Sequence, residues 1–319
     1  MTASTTRRTT AARSRIAAVG AIAVAGALIL TGCGDQTEKG SSAAPSGGTS
    51  KDSSAPLFSA LPKKIQDAGV IKIGTDSAYA PMEFVEGGKI VGVDPDIAEA
   101  LGKQLGVKMQ FTAGTFDGLI TSIYTGREDA IMSSITDNKQ RQEGLDDKGQ
   151  KIGKGIDFVD YFSSGLSLLV KKGNPEGIKS LDDLCGKTVA VQRGTTYEDE
   201  FKKQAEKCGD KKLTIQAFDT DAEAQTRVKA GGAVADLNDY PVAAYTVKTS
   251  GGGNDFEIAG QQSGVGFFGI GVSKENTQLR DALKQALDAA IKDGSYAKAL
   301  EKWNVQDSAV KSATVNAGQ

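Results

Sequence analysis

Hydroxyl and charged side chains are concentrated in residues 133–141 (SSITDNKQR). Ser133, Ser134 and Thr136 offer hydroxyl groups, and the planar guanidinium of Arg141 can hold a carboxylate with two parallel hydrogen bonds. The stretch follows a predicted strand, and open α/β sheets bind ligands at the carboxyl ends of their strands. Taken alone, this stretch slightly favours a solvated loop with Arg141 on a helix surface. Other segments are needed to distinguish a loop from a ligand-binding site.

The absence of histidine restricts the available chemistry. The 319 residues include 38 Lys or Arg and 40 Asp or Glu, which gives a net charge of −2. Without histidine there is no His-based metal site and no Ser-His-Asp triad, and three cysteines are too few for a Cys-rich metal cluster. We therefore expect no cofactor and no metal, although catalysis by a carboxylate or lysine stays possible. A near-neutral charge without a basic block argues against nucleic acid.

The N-terminal residues are typical of an export signal. Arginines precede an apolar run at residues 16–30, which is shorter than the roughly 18 residues that span a bilayer. The sequence LTGC that follows resembles a bacterial lipobox, in which Cys33 would be lipidated and become the mature N-terminus; an ordinary cleavage site with an incidental cysteine is the alternative. We predict a lipoprotein signal peptide over residues 1–32. The Gly/Ser/Ala/Pro-rich residues 33–56 favour a flexible tether.

Strand-like and helix-like segments alternate from residue 70 onward. The predicted strands are residues 70–74, 107–112, 129–135, 166–171, 188–192, 213–217 and 234–237. The predicted helices are residues 95–105, 119–125, 196–207, 222–230, 242–248 and 279–293. Asp94 followed by Pro95 predicts that the first helix has Asp94 as its N-cap. The alternation indicates α/β layers with mainly parallel sheets.

Two such α/β runs predict two lobes joined by crossing strands. The predicted parts are lobe 1 at 57–163 plus 267–306, lobe 2 at 166–264 and a polar tail at 307–319. Hinge positions are expected near residues 163–165 and 265–267.

Six segments in sequence order carry a family resemblance. They are TDSAYAP at 75–81, GVDPDI at 92–97, QRGTT at 192–196, DLNDYP at 236–241, FFGIGV at 267–272 and KW at 302–303. Together they closely resemble the family 3 bacterial solute-binding proteins, the polar amino-acid receptors of ABC importers, over about residues 57–306. The resemblance implies an α/β chain with the type II periplasmic-binding-protein fold, in which two lobes joined by two hinge strands hold the ligand between them.

The resemblance also implies which groups hold the two charged ends of an amino acid. Arg141 would hold the α-carboxylate together with Thr136 and with Thr196 at a helix N-terminus, where backbone N–H groups favour an anion. Asp239 would pair with the α-ammonium, with Ser134 donating nearby. Opposite charges suit a zwitterion, whose burial requires that each charge be paired. Because these groups hold their charge at neutral pH, we expect nearly constant binding from about pH 6 to 8.

Further matches imply how the ligand side chain is held. Tyr79 and Phe116 occupy positions at which aromatic rings enclose the side chain, and Asp76 and Gln192 occupy positions that meet its tip. Ser133 completes the predicted ligand-binding set. A carboxylate at the tip prefers a hydrogen-bond donor and repels an acid, which favours glutamine or a basic amino acid over glutamate.

The two remaining cysteines lie in the predicted second lobe. Cys185 and Cys208 flank a predicted strand and helix. Outside the cytoplasm, a disulfide between them is favoured over two buried thiols.

The sequence therefore predicts a lipid-anchored, monomeric binding protein on the outer face of the cytoplasmic membrane. It would deliver a polar amino acid to the permease and ATPase subunits of an ABC importer. Two alternatives remain. One is an enzyme like cyclohexadienyl or arogenate dehydratase on the same fold, with a carboxylate such as Asp76 or Glu83 as the catalytic acid or base. The other is a ligand-sensing subunit of a membrane receptor.

Overall fold

The structure is a computed structural model that describes residues 51–146 and 148–319. The predicted signal peptide and Cys33 lie outside these residues. Within them, no helix is both long and apolar enough to cross a membrane. The end of the predicted tether packs on the body, because the Asp52 N–H donates to the carbonyl of Gly106 at 2.8 Å. The folded body therefore begins earlier than the sequence predicts.

Twelve strands and nine helices make up the part of the chain that the structure describes. The strands are β1 Val70–Thr75, β2 Ala78–Tyr79, β3 Glu83–Glu86, β4 Lys89–Val91, β5 Lys108–Ala113, β6 Ala130–Ile131, β7 Ile156–Lys171, β8 Thr188–Gln192, β9 Thr214–Phe218, β10 Ala235–Asp239, β11 Phe256–Ser273 and β12 Ala309–Val315. The helices are α1 Lys63–Ala68, α2 Val93–Leu105, α3 Leu119–Tyr124, α4 Lys139–Glu143, α5 Thr196–Cys208, α6 Asp221–Lys229, α7 Tyr240–Thr249, α8 Thr277–Asp293 and α9 Ser295–Trp303. Short 3-10 turns lie at Phe58–Ala60, Phe116–Gly118, Leu181–Leu184, Ser250–Gly252 and Gln306–Ser308.

Two long antiparallel strands connect two parallel half-sheets. The strand order is β5-β1-β6-β11-β7-β10-β8-β9, with β12 also paired to β7 and with β2, β3 and β4 forming a small separate sheet. Strand β1 is parallel to β5 and β6, and β8 is parallel to β9 and β10, whereas β7 and β11 run antiparallel. The carboxyl ends of both parallel sets supply the polar residues described below.

Each half-sheet has its own core. Ile71, Leu101 and Leu283 are buried in the core of lobe 1, and Val189 and Phe201 are buried in a core of lobe 2. Between the halves, the register of β7 and β11 shifts on either side of the Ser263–Leu166 pair. The bulged ladder lies at the place where the sequence predicts the hinge.

Helix α2 begins at a glycine instead of the predicted aspartate. Gly92 is the N-cap with φ +137°, and a Cβ there would lie 2.2 Å from the carbonyl oxygen of Met82. Asp94 is fully buried and accepts hydrogen bonds from the Ser134 N–H at 3.0 Å and from the Tyr161 hydroxyl at 2.7 Å. The predicted Asp94 cap is therefore wrong, because tertiary contacts hold its carboxylate inside lobe 1.

The last residues extend the sheet instead of forming a polar tail. Strand β12 pairs antiparallel with β7, with Ala309 opposite Phe162 and Val315 opposite Val159. Ala313 is buried in the core of lobe 1.

The predicted disulfide is confirmed. Cys185 and Cys208 are bonded with their Cα atoms 5.3 Å apart. The bond joins the segment before β8 to the end of α5.

Candidate functional site

Nine of the ten predicted ligand-binding residues line one cavity in the cleft between the lobes. They are Tyr79, Phe116, Ser133, Ser134, Thr136, Arg141, Gln192, Thr196 and Asp239. The tenth, Asp76, lies beside it, because its carboxylate accepts a hydrogen bond from the Gln192 amide at 2.5 Å.

The guanidinium of Arg141 is held over the cleft by backbone groups. Asn138 caps the short helix α4 by accepting from the Arg141 N–H at 2.8 Å. The side chain of Arg141 donates to the carbonyls of Thr136 at 2.8 Å and Gly194 at 3.1 Å, and it lies 5.5 Å from the ring centre of Phe116. Desolvation lowers the pKa of Arg141, which nevertheless stays charged. No carboxylate in the described ranges forms an ion pair with this cation.

The start of α5 faces the same part of the cleft from lobe 2. Thr195 caps this helix by accepting from the Glu198 N–H at 3.2 Å. The hydroxyl of Thr196, the first helical residue, lies 3.4 Å from that of Thr136 in lobe 1. The N-terminal end of this 13-residue helix carries partial positive charge, which together with Arg141 makes this end of the cleft attractive to an anion.

A buried carboxylate occupies the other end of the cavity. Asp239, which ends β10, is 1% exposed; its Oδ2 accepts from the Tyr79 hydroxyl at 2.8 Å. Its Oδ1 is buried with no hydrogen-bond partner among the described residues. Desolvation raises the pKa of Asp239 to about 7; the hydroxyls of Tyr197 and Tyr79 oppose the rise, and the Asp221 carboxylate adds to it. Burial therefore acts against the sequence-based expectation that Asp239 stays fully charged across neutral pH.

Asp76 lies at a third position, next to the cavity. Its N–H donates to the Ser133 hydroxyl at 2.9 Å, and that hydroxyl donates to Glu83 at 2.8 Å. Burial raises the pKa of Asp76, while hydrogen bonds from Gln192 and the backbone oppose the rise. Glu83 itself is fully buried behind Ser133 and does not line the cavity.

The lobes touch across the cleft. Contacts between cleft residues include those of Asp76 with Gln192, Tyr79 with Asp239, Thr136 with Thr196, and Arg141 with Gly194. The cavity that they enclose has a volume of about 10 Å³, which accommodates about one water molecule. This is a closed arrangement, and an amino acid can enter only when the lobes separate.

Comparisons with known proteins establish the family. The bacterial extracellular solute-binding proteins, family 3, match residues 71–306. The chain belongs to this family. It is 31% identical to the histidine-binding periplasmic protein of Salmonella typhimurium, with 79% of this chain and 91% of that protein covered. It is 29% identical to the L-cystine-binding protein TcyJ of Escherichia coli (strain K12), with 76% and 85% covered.

The fold of this solute-binding protein is similar to that of a solved structure. An ancestral arginine-binding protein bound to arginine superposes with a TM-score of 0.65 at 36% identity and covers 74% of this chain and 98% of its own. The predicted family and the predicted two-lobed α/β fold are thus confirmed. These relatives are binding proteins, as predicted, and not enzymes. A further neighbour, the precursor of cyclohexadienyl dehydratase, is itself an ancestral amino-acid-binding protein (34% identity, TM-score 0.63).

Sequence reasoning missed several buried polar residues of this solute-binding protein. Thr195 and Tyr197 also line the cavity, and Tyr197 influences the pKa of Asp239. Both adjoin Thr196 in the segment that resembles the family, so their position at a helix start could have revealed them. The pairing of Glu83 with Asp94 had no local signal, since these residues come together only through tertiary packing.

Proposed function

We propose that this protein is the lipid-anchored binding subunit of an ABC importer, which captures a polar amino acid and delivers it to the membrane permease. One observation carries the proposal. Among the residues that the structure describes, the cation of the cleft, Arg141, has no carboxylate partner, and one oxygen of the buried acid Asp239 has no hydrogen-bond partner. A zwitterionic α-amino acid supplies the missing charge at both ends, which removes the cost of leaving each group unpaired.

The chemistry beside the cavity supports a ligand whose side chain ends in a hydrogen-bond donor. Asp76 already accepts from an amide, that of Gln192, so an amide or a cation on the ligand suits it. The Asp221 carboxylate lies close enough to raise the pKa of Asp239, and a negative charge there disfavours an acidic ligand. The arginine-binding protein ArgT of Corynebacterium glutamicum, 27% identical with 80% of this chain and 81% of that protein covered, is consistent with this class. Glutamine or a basic amino acid is therefore the proposed ligand.

The membrane anchor rests on the sequence around Cys33. The lipobox and the polar residues after it support attachment at the outer face of the cytoplasmic membrane, beside a permease with its ATPase subunits. Mass spectrometry of the mature N-terminus tests this part, since an unmodified residue there would contradict lipidation of Cys33.

The test begins with a thermal-shift screen of the protein against the twenty amino acids, ornithine and citrulline. We then expect Arg141→Ala to abolish detectable binding of the best ligand while the protein stays folded, because the α-carboxylate loses its charged partner. Calorimetry measures the loss. Arg127→Ala is the matched control, because Arg127 is an exposed arginine of the same lobe that pairs with Glu128 away from the cleft. Micromolar binding that survives in Arg141→Ala would refute the proposal.

A further inference from the structure

The chain continues beyond the matched family region as a segment that we call the C-terminal strap, residues 309–318. The family match ends at residue 306, whereas β12 begins at Ala309 and pairs with the hinge strand β7. Nothing in the predicted site includes the strap, yet its last residues reach the segment that carries Arg141.

Hydrogen bonds fix the strap along lobe 1. The Ala313 N–H donates to Asp288 on α8 at 2.8 Å, and the Thr314 hydroxyl donates to Asp160 on β7 at 2.8 Å. Asn316, with φ +54°, accepts from the Phe158 N–H at 2.8 Å. The route of the strap is thus set by side chains of the elements beneath it.

The strap ends in a buried junction of three residues. The Gly318 N–H donates to Asp137 Oδ2 at 2.7 Å, and the Gly318 carbonyl accepts from the Gln142 amide at 3.1 Å. The same amide donates to Asp137 Oδ1 at 2.7 Å. Asp137 is 2% exposed and Gln142 is 4% exposed, so water does not replace these bonds.

Only glycine fits at the end of the junction. A Cβ on Gly318 would lie 2.0 Å from the backbone oxygen of Asp137 and 2.5 Å from its carbonyl carbon. The opposing atoms are backbone, so they cannot move aside without shifting the turn that contains Asp137.

That turn holds the cation of the cleft. Asp137 lies between Thr136, whose carbonyl accepts from the Arg141 guanidinium, and Asn138, which caps the Arg141 N–H. Gln142 follows Arg141 directly on α4. A helix of five residues is not stable alone, so contacts from outside must fix it.

We propose that the C-terminal strap positions the carboxylate end of the ligand site, with Gly318 acting through Asp137 and Gln142 on Arg141. The inference rests on the proposed amino-acid binding. It assigns to the strap a role in ligand recognition that goes beyond stabilising lobe 1. A loosened junction should therefore weaken recognition of the α-carboxylate and leave the contacts with the rest of the ligand in place.

The test compares L-arginine with agmatine, which keeps the guanidinium and lacks the carboxylate. We expect Gly318→Ala to weaken arginine binding about tenfold or more. A displaced Arg141 guanidinium would no longer be aligned for charge-assisted hydrogen bonds to the α-carboxylate. Agmatine binding, titrated at millimolar concentrations, should change less than about twofold. Gln319→Ala is the control, because Gln319 is the exposed residue that follows the junction. If the screen selects glutamine, L-glutamine and 4-aminobutanamide replace the pair.

Gln142→Leu is measured in parallel, as a second variant in case Gly318→Ala does not fold fully. This variant removes the amide that joins Asp137 to Gly318 and keeps the strap intact, and we expect the same selective loss. Equal losses for arginine and agmatine, or no loss for either ligand, would overturn the positioning role. A wild-type protein that binds no amino acid would instead overturn the proposed function, and the inference with it.

Discussion

Asp239 shows how burial determines the chemistry of one residue. The carboxyl is almost completely enclosed, and burial raises its pKa to about 7, so protonation of Asp239 competes with its ionised form near neutral pH. An ammonium group beside it restores the charged form. Ligand binding at Asp239 should therefore release a proton. An aspartate that was already fully ionised would release none.

At the residue scale we predict that amino-acid affinity falls as the pH is lowered. Because the proposed ligand pairs its ammonium with the ionised form of Asp239, we expect the Kd to be nearly constant above pH 8 and to rise by up to about tenfold per pH unit below 7. Calorimetry from pH 5.5 to 8.5, in two buffers with different ionisation enthalpies, measures both the Kd and the released proton. Equal Kd values at pH 5.5 and 8 would contradict the prediction.

The stability of the unliganded protein should change in the opposite direction. The carboxyl of Asp239 has a higher pKa folded than unfolded, so its protonation stabilises the fold fully below about pH 4. That contribution is lost as the pH rises through about 7. The ligand-induced rise in Tm should therefore be larger at pH 8 than at pH 6.

At the scale of elements, α5 shows how a helix is fixed at both ends. Thr195 caps its start, which faces the cleft, and the disulfide between Cys208 and Cys185 holds its end. The disulfide lies at the far end of the helix from Thr196. It should therefore contribute to stability and leave the ligand contacts unchanged.

We predict that the double variant Cys185→Ser/Cys208→Ser lowers the free energy of unfolding by about 3 kcal/mol, because the unfolded chain loses a closed loop. The 23-residue separation of the cysteines sets this magnitude. Urea unfolding in the presence and absence of a reductant measures the loss, and ligand affinity at 25 °C serves as the control. A change below about 1 kcal/mol would count against the entropic account.

The elements differ in how well the sequence reveals them. Strand β8 begins and ends at the predicted residues, 188 and 192. Its buried, β-branched residues are bounded by turn residues, which marks both ends in the sequence. The two-residue strand β2 carries no periodic signal, and β12 mixes Lys311 and Ser312 with apolar residues because only one side of it packs on lobe 1. Polar side chains such as Tyr79 and Asp239, 160 residues apart, could be placed together only through the family resemblance.

At the scale of the whole molecule, the approach of the two lobes depends on a glycine. Gly194 has φ +75°, and a Cβ there would lie 2.9 Å from the Cβ of Asp117 in the opposite lobe. Its carbonyl also accepts a hydrogen bond from Arg141. Any larger residue would press against lobe 1 when the cleft closes.

We therefore predict that Gly194→Ala weakens ligand binding by about tenfold or more, because overpacking across the cleft costs about 1–3 kcal/mol in the closed form. Gly231→Ala is the matched control. Gly231 has nearly the same φ, +76°, but no atom of the described residues lies within 4 Å of its Cβ position, so it shares the backbone strain without the clash. Calorimetry measures both variants. Similar losses in the two would show that strain, and not closure, is responsible.

The contact between Gln192 and Asp76 has a consequence for which ligands are rejected. In the closed cleft the amide of Gln192 occupies Asp76, the acceptor that we propose for the ligand's side chain, and would therefore compete with the ligand for it. A ligand that separates the lobes breaks this bond and must replace it. A side chain too short to reach Asp76 would leave a buried acceptor without a donor, which is a larger penalty than the loss of a few apolar contacts. We therefore expect amino acids with short side chains to bind more weakly than longer ones, because they cannot replace the hydrogen bond between Gln192 and Asp76.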